Sequence, residues 1–356
     1  MEVGRKRTRR RGVTFALLAA LIAALAVIVA VTTASAGSTK ANAKYVLGLS
    51  NTLAGNGWRE EMVCAFKAQS LASGKVSSVK ISSRNTDTAG QIADIRNLIS
   101  AGVNAIVINP SSPTALIPIA HQAISRGIKI VFVDQRVNDP DVYNATNDQV
   151  AYGRLGATWL FKKLGGKGNV VEMRGIAGVP ADTDRHTGFQ QALTKFPKIK
   201  VVKSVFTGWQ FATGGKQMLD ILNSGVKVNG VWTSGIDYTV VNAFKTAKKK
   251  LVPIVGADNN GFLRQLKALY PKFQGAAVTN PATIGGVGAT VAIKALEGQS
   301  VPKWVKLKPQ VWTYKTKKAL INKYYSAKAP PDASAQLQVK PYTTYSIAQL
   351  RACKGP

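Results

Sequence analysis

The chain has 356 residues, 46% of them hydrophobic, with 48 basic against 17 acidic side chains and a formal charge of +31. That length can bury a large core and suits two lobes better than one, while two cysteines and two histidines leave almost no material for a zinc centre, so no metal or cofactor is expected. Nucleic acid would be the reflex partner for such a charge, but the lysines are dispersed and no nucleic-acid motif occurs, so none is expected.

In chain order, Arg5, Lys6, Arg7, Arg9, Arg10 and Arg11 form a basic head, Val13 to Val31 is almost wholly apolar, and Ala34-Ser35-Ala36 has the small residues of a cleavage site. Residues 1–36 therefore predict an export signal, although the apolar run is also long enough for an uncleaved anchor. No cysteine lies near Ala36, which argues against lipid attachment there. Export points to the periplasm or the outer face of the cell membrane. In that oxidising setting the even pair Cys64 and Cys353 predicts one disulfide, pinning the C-terminal tail to the first helix; two unpaired thiols are the alternative. Closing so long a loop contributes roughly 4 to 5 kcal/mol in the chain-entropy model. Without residues 1–36, which hold six of the bases and one acid, the charge is still +26. We read it as adhesion to an anionic cell envelope, with a generally solvated lysine face as the alternative. His121 and His186 read as surface or packing residues.

From Lys44 onward, short apolar runs alternate with helical patterns. Strands are expected at 45–50, 79–83, 105–110 and 129–134, with helices at 58–72, 89–101 and 115–126 between them. After "VYNATND" (142–148) the rhythm restarts, with helices at 152–164, 185–196, 214–223 and 239–248 and strands at 169–173, 200–205, 230–234 and 252–258. A strand at 275–280, a helix at 286–296 and a basic segment from Lys303 follow. Runs of four to six β-branched residues separated by longer helices predict βαβ units, hence an α/β fold of two doubly wound parallel-sheet lobes. The Pro-, Ala- and Ser-rich tail, 329–356, is expected to run over the surface.

In "VLGLSNTLAGNGWREEM" (46–62) a strand passes through a glycine turn into a helix, but Glu60 stands where a nucleotide fingerprint needs its third glycine, and no Gly-Lys-Ser/Thr follows. Ligands of open parallel sheets bind beyond the carboxyl ends of the strands. Those ends carry Ser50-Asn51, Asn109-Pro110, Asp134-Gln135-Arg136, Arg174-Gly175, Ser234-Gly235 and Asp258-Asn259.

The ordered segments "NGWR", "DIRNLISAGVNAIVINPSSPTAL", "IVFVDQ", "NVVEMRGIAGVPADTDRHTGFQQAL" and "IVGAD" resemble the periplasmic sugar-binding proteins of the ribose-binding type, receptors of ABC importers, over about residues 44–315. The resemblance implies a type I periplasmic binding protein: lobes of 44–147 plus 280–308 and 148–279 plus 309–328, joined by a three-crossing hinge near Asn147, Asn280 and Lys308. Such a protein closes over one small ligand and is not an enzyme. Carried over position by position, Asn56 matches a polar contact and Trp58 an aromatic that stacks on a sugar ring, with Arg59 at its edge. Asn109 matches the asparagine after the third strand, and Asp134 with Gln135 or Arg136 the family's Asp-Arg pair. Arg185, Trp209 and Asp258 match an arginine, a second stacking aromatic and a carboxylate. The chain departs from the ribose binders where Gly235, with Asp237 nearby, replaces a ligand asparagine, where Thr279-Asn280 replace a glutamine, and where Arg59 replaces a second phenylalanine. These departures point away from ribose; "GWR" resembles the branch taking galactofuranose and other hexose forms, and the extra arginines leave room for an acidic or phosphorylated sugar.

Each residue has a plainer reading. Asp134 could cap a turn, Trp58 could be core, Arg185 could pair locally with Asp182 or Asp184, Phe206 and Phe211 compete with Trp209, and Asp87 reads as a helix cap. The expectation is a monomeric extracytoplasmic receptor that captures a monosaccharide or related polyol for an ABC permease. The alternative is a membrane-anchored sensor feeding a kinase or chemoreceptor.

Overall fold

The computed structural model of the chain describes Met1 and residues 45–353; apart from Met1, the expected export signal lies outside the described residues. In chain order the elements are β1 (Tyr45–Asn51), α1 (Gly57–Ala72), β2 (Val76–Ser83), α2 (Thr88–Ser100), β3 (Ala105–Ile108), α3 (Ile117–Ile124), β4 (Lys129–Asp134) and β5 (Tyr143–Asn147). There follow α4 (Gln149–Lys163), β6 (Lys167–Arg174), α5 (Pro180–Leu193), β7 (Lys198–Phe206), α6 (Phe211–Asn223), β8 (Gly230–Thr233), α7 (Asp237–Thr246), β9 (Ile254–Ala257), α8 (Asn260–Ala268) and β10 (Gly275–Val278). The last are α9 (Ile284–Leu296), β11 (Trp304–Leu307), β12 (Val311–Trp312), α10 (Tyr314–Tyr324) and α11 (Ile347–Arg351).

The strands form two six-stranded sheets of matching order, β11-β5-β4-β3-β1-β2 and β12-β10-β9-β8-β6-β7. The first is parallel throughout; in the second only β12 runs antiparallel, against β10. Helices cover both faces of each sheet, which is why the strands read as continuous apolar runs. In β3, Val107 packs with Met62, Phe66 and Val287 of α1 and α9, while Ile106 and Ile108 face Ile95, Leu98 and Ile119 of α2 and α3. In β8, Val231 meets Met218, Val240 and Phe244, and Trp232 meets Leu160, Phe161 and Phe189. Each such side chain, fully buried, stabilises the lobe by about 1.5–3 kcal/mol.

Residues just past the strands start the helices. Asn56, Asp87, Asp148 and Asn259 cap α1, α2, α4 and α8 by accepting from the backbone N–H three residues on. Asp87 is thus the cap it was expected to be. Helix α5 begins five residues earlier than expected, with Pro180 in its first turn, where a missing N–H has no partner to lose.

The chain crosses between the sheets three times, after β5, after β10 and between β11 and β12. The crossings are laced together: Asn147 Nδ2 donates to Thr279 O at 3.1 Å, and Thr279 exchanges two 2.9 Å bonds with the Gln310 backbone. Asp148 N donates to Leu307 O at 2.9 Å.

The tail corrects one expectation. Of the segment expected at the surface, Ser334, Ala335, Thr343, Tyr345 and Leu350 are buried, because its backbone polar groups are taken up by both lobes. It starts against α8, crosses to α9 and α1, and ends in a Cys64–Cys353 disulfide. Tyr345 and Leu350 seal that end against Ala65 and Ala68 of α1.

Candidate functional site

The lobes enclose a cavity of about 70 Å³, room for several waters at ~10–15 Å³ each, so its guest is small. Trp58, Arg59 and Asp134 line it from the first lobe and Arg185, Trp209 and Asp258 from the second, with Asn280 from the second crossing and Asp332 and Ser334 from the tail.

Both tryptophans spend their polar edge on the protein. Trp58 Nε1 donates to Asn280 O at 2.6 Å, and Trp209 Nε1 to Ser234 O at 3.0 Å. That fixes each ring and leaves apolar surface in the cavity. Trp209 has φ +54°, a left-handed conformation rare for a bulky residue. Its ring lies so close to the end of β6 that a β-carbon at Gly175 would come within 2.2 Å of it; only glycine fits there.

The charged groups form one relay. Asp134 ends β4 at φ +67° and accepts from Gln149 Nε2 at 2.8 Å, and Gln149 Oε1 accepts from Arg185 Nε at 2.8 Å. Arg185 Nη1 donates to Ser234 O at 2.8 Å, and its guanidinium lies 4.2 Å from the centre of the Tyr152 ring. Arg59, buried, donates to Asn51 Oδ1 at 2.8 Å. The alternative local pairing of Arg185 is not what forms: Asp182 is held by Arg174 at 2.6 Å and by Gly175 N at 2.7 Å.

The carboxylates differ. Burial pushes Asp134 above the ordinary range, with Arg59 and Arg185 pulling it back. Asp258 accepts from Asn280 N at 3.0 Å through Oδ1 and has no partner on Oδ2 among the described residues; burial pushes it up to about 7. Beside it, Glu61 is pushed up to about 8 by burial and then by the charge of Asp258. Acids held this way keep their proton to higher pH than ordinary carboxylates until a partner favours the charged form.

Several expected contacts stand elsewhere. Asn56 lines the cavity, but its amide is committed, capping α1 and donating across the cleft to Trp209 O at 3.2 Å. Asn109 is buried; its Nδ2 donates to Met62 Sδ at 3.3 Å and its Oδ1 accepts from Gln135 Nε2 at 2.9 Å. Gln135 also donates to Pro110 O, and its Oε1 accepts from Ala181 N of the other lobe. Arg136 turns away from the cavity, because Trp304 offers a ring face at 4.1 Å and Asn138 an acceptor at 3.0 Å; it lines a separate open groove of about 640 Å³. Asp237 is fully buried beside β9, held by Ala257 N at 2.7 Å and by Asn259. Thr279 spends its hydroxyl on the crossing. Of the competitors to Trp209, Phe211 lines the cavity, whereas Phe206 is 45% exposed.

Sequence reading missed Gln149, Asp332 and Ser334. Gln149 follows a helix cap and carried no signal of its own, and the other two sit in a Pro/Ala/Ser stretch that reads as loop. Among the described residues, one group has metal-ligand side chains together, His121, Asp139 and Asp141; it is at the surface, held by a 2.9 Å His121–Asp139 pair, and none of it lines the cavity. His186 pairs with Glu172 at 2.7 Å.

The periplasmic binding protein domain family matches residues 47–300. The chain is 31% identical over 224 residues to a xylitol-binding protein of Mycolicibacterium smegmatis, covering 62% of this chain and 64% of that protein, so it spans slightly under two thirds of that relative's length. It is 29% identical over 227 residues to a ribose import binding protein of Salmonella typhimurium, covering 63% and 75% of the two chains. In structure it resembles an ABC transporter solute binding protein from Thermobispora bispora, with a TM-score of 0.74 and 29% identity over 82% of this chain and 90% of that one. With most of the length from β1 through α9 inside the family match, the chain belongs to the periplasmic binding protein domain family.

Proposed function

We propose that this protein is an extracytoplasmic solute-binding protein that captures one monosaccharide or related polyol between its lobes and delivers it to an ABC permease. The observation that carries this reading is that each lobe offers the same three kinds of group, a tryptophan, an arginine and an aspartate, to one small cavity. A flat ring covers the C–H face of a polyol and excludes water. Carboxylates accept from its hydroxyls and guanidinium groups donate to them, in charge-assisted bonds that are the stronger kind. A misplaced hydroxyl leaves a buried group unpaired at about 1–3 kcal/mol, which separates epimers. Relatives whose names specify xylitol and ribose support the polyol class. Binding shifts the lobes toward the closed form that a permease reads; no catalytic step is part of this reading.

In this reading the protein is exported and works as a monomer in the periplasm or at the outer face of the membrane, with its excess positive charge holding it to an anionic envelope. Mass spectrometry of the mature N-terminus separates a released receptor from an anchored sensor.

A thermal-shift screen with xylitol, D-ribose, D-galactose, L-arabinose, sugar acids and sugar phosphates tests the ligand class. A bound ligand at a hundred times its Kd stabilises the fold by about 2.7 kcal/mol. Trp58→Ala and Asp134→Ala are each expected to abolish that shift; if both retain it, the ligand lies elsewhere.

A further inference from the structure

The C-terminal segment is a fourth link between the lobes. Asn260 Nδ2 holds its start by donating to Ala329 O at 2.9 Å, and Ala335 N donates to Asp258 O at 2.8 Å, both on the second lobe. Further on, Leu337 O accepts from Thr283 Oγ1 at 2.6 Å and Thr344 N donates to Gln69 Oε1 at 2.8 Å, both on the first. The Cys64–Cys353 disulfide then makes the attachment covalent.

Between these anchorages the segment passes the cleft. Asp332 Oδ2 accepts from Gly57 N at 3.1 Å, at the start of α1. The approach is so tight that a β-carbon at position 57 would lie 2.6 Å from the Asp332 carboxyl carbon. Ser334 is 5% exposed and lines the cavity, and its Oγ has no partner among the described residues. Asp258 lines the same cavity, and its Oδ2 likewise has no partner among the described residues.

We propose that this C-terminal strap is a specificity element of the ligand site, in which Ser334 Oγ and Asp258 Oδ2 together take one hydroxyl of the guest while Asp332 seats the strap on α1. The chemistry fits a hydroxyl: it donates its proton to the carboxylate and accepts the serine proton, so both orphaned groups are satisfied at once. A guest without that hydroxyl leaves two buried polar groups unpaired. The proposal rests on the reading of the cavity as a polyol site.

The test is calorimetric titration of the oxidised full chain with xylitol, D-ribose, D-galactose and their singly deoxygenated forms. Ser334→Ala is expected to weaken the best probe about tenfold. It should leave the affinity for one deoxy form unchanged, because that form already lacks the partner hydroxyl. Ser334→Gly, which deletes the same hydroxyl with less volume, repeats the measurement if the alanine variant fails to fold. Asp332→Ala should weaken all probes by a similar factor. A Ser334 variant that weakens every probe and every deoxy form equally, or none, overturns the proposal. If Trp58→Ala abolishes binding while Ser334→Ala keeps every affinity, the cavity reading stands and the strap proposal falls; if the unaltered protein binds no probe, both fall.

Discussion

The two lobes present the same three kinds of side chain to the cavity, yet their carboxylates are differently partnered. Asp134 and Asp258 each follow the third strand from the outer edge of their sheets, β4 and β9. Asp134 is bonded by Gln149, and Arg59 and Arg185 oppose the upward push of burial on it. Asp258 has an oxygen without a partner and is raised to about 7. The carboxylate of the first lobe is already engaged by the protein, while that of the second keeps an oxygen without a partner among the described residues, the one the strap proposal assigns to a guest's hydroxyl.

The same substitution at both positions breaks the comparison most sharply. Asp134→Asn removes the carboxylate that accepts from Gln149 and faces Arg59 and Arg185, and should cost about 1–3 kcal/mol of unfolding free energy in urea titrations. Asp258→Asn should leave the ligand-free protein at pH 8 as stable as before, or more so. Equal losses would mean that the two carboxylates are equivalent after all. The next effect is on affinity: Asp258→Asn should weaken the best polyol by about tenfold to a hundredfold in calorimetry. In the unaltered protein, binding near pH 7 should release protons, since a hydroxyl donor favours the ionised carboxylate.

The remaining effect is the pH slope of stability. Asp237 and Asp258 are raised from 3.8 to about 7 and Glu61 from 4.5 to about 8. Between roughly pH 4 and 8 the folded chain therefore holds more protons than the unfolded one, and stability falls as pH rises through that window, by up to about 1.4 kcal/mol per pH unit for each acid. It levels off above the window. Melting temperatures of the ligand-free protein from pH 5 to 9 check this; a rising or flat profile would contradict buried, protonated acids.

Much of the fold was legible because strands such as "AIVI" and "KIVFVD" are apolar on both faces, a pattern that parallel sheets impose. Strand β5 was not: "YNATN" looks like a loop because Asn144 is buried only by virtue of its two bonds to the Val137 backbone, which sequence cannot display. In the site, Trp58, Arg59, Asp134, Arg185, Trp209, Asp258 and Asn280 were visible as polar or aromatic groups after apolar runs and through family resemblance, and the structure gathers them. Arg136 has the same local signature and goes the other way, since the ring that captures it lies far along the chain at Trp304. Asp332 and Ser334 were hidden for the same reason: Asp332 meets Gly57 across 275 positions, a separation that no local pattern encodes.

Because Cys64 and Cys353 are the only cysteines in the sequence and bond to each other, the protein carries its own chemical gauge of wholeness. Intact, oxidised molecules should give no signal in a thiol titration; after full reduction an intact chain shows two thiols, whereas one clipped ahead of Cys353 and freed of the released peptide shows only Cys64. Counting thiols per chain after reduction thus sorts preparations with the strap in place from those that have lost it.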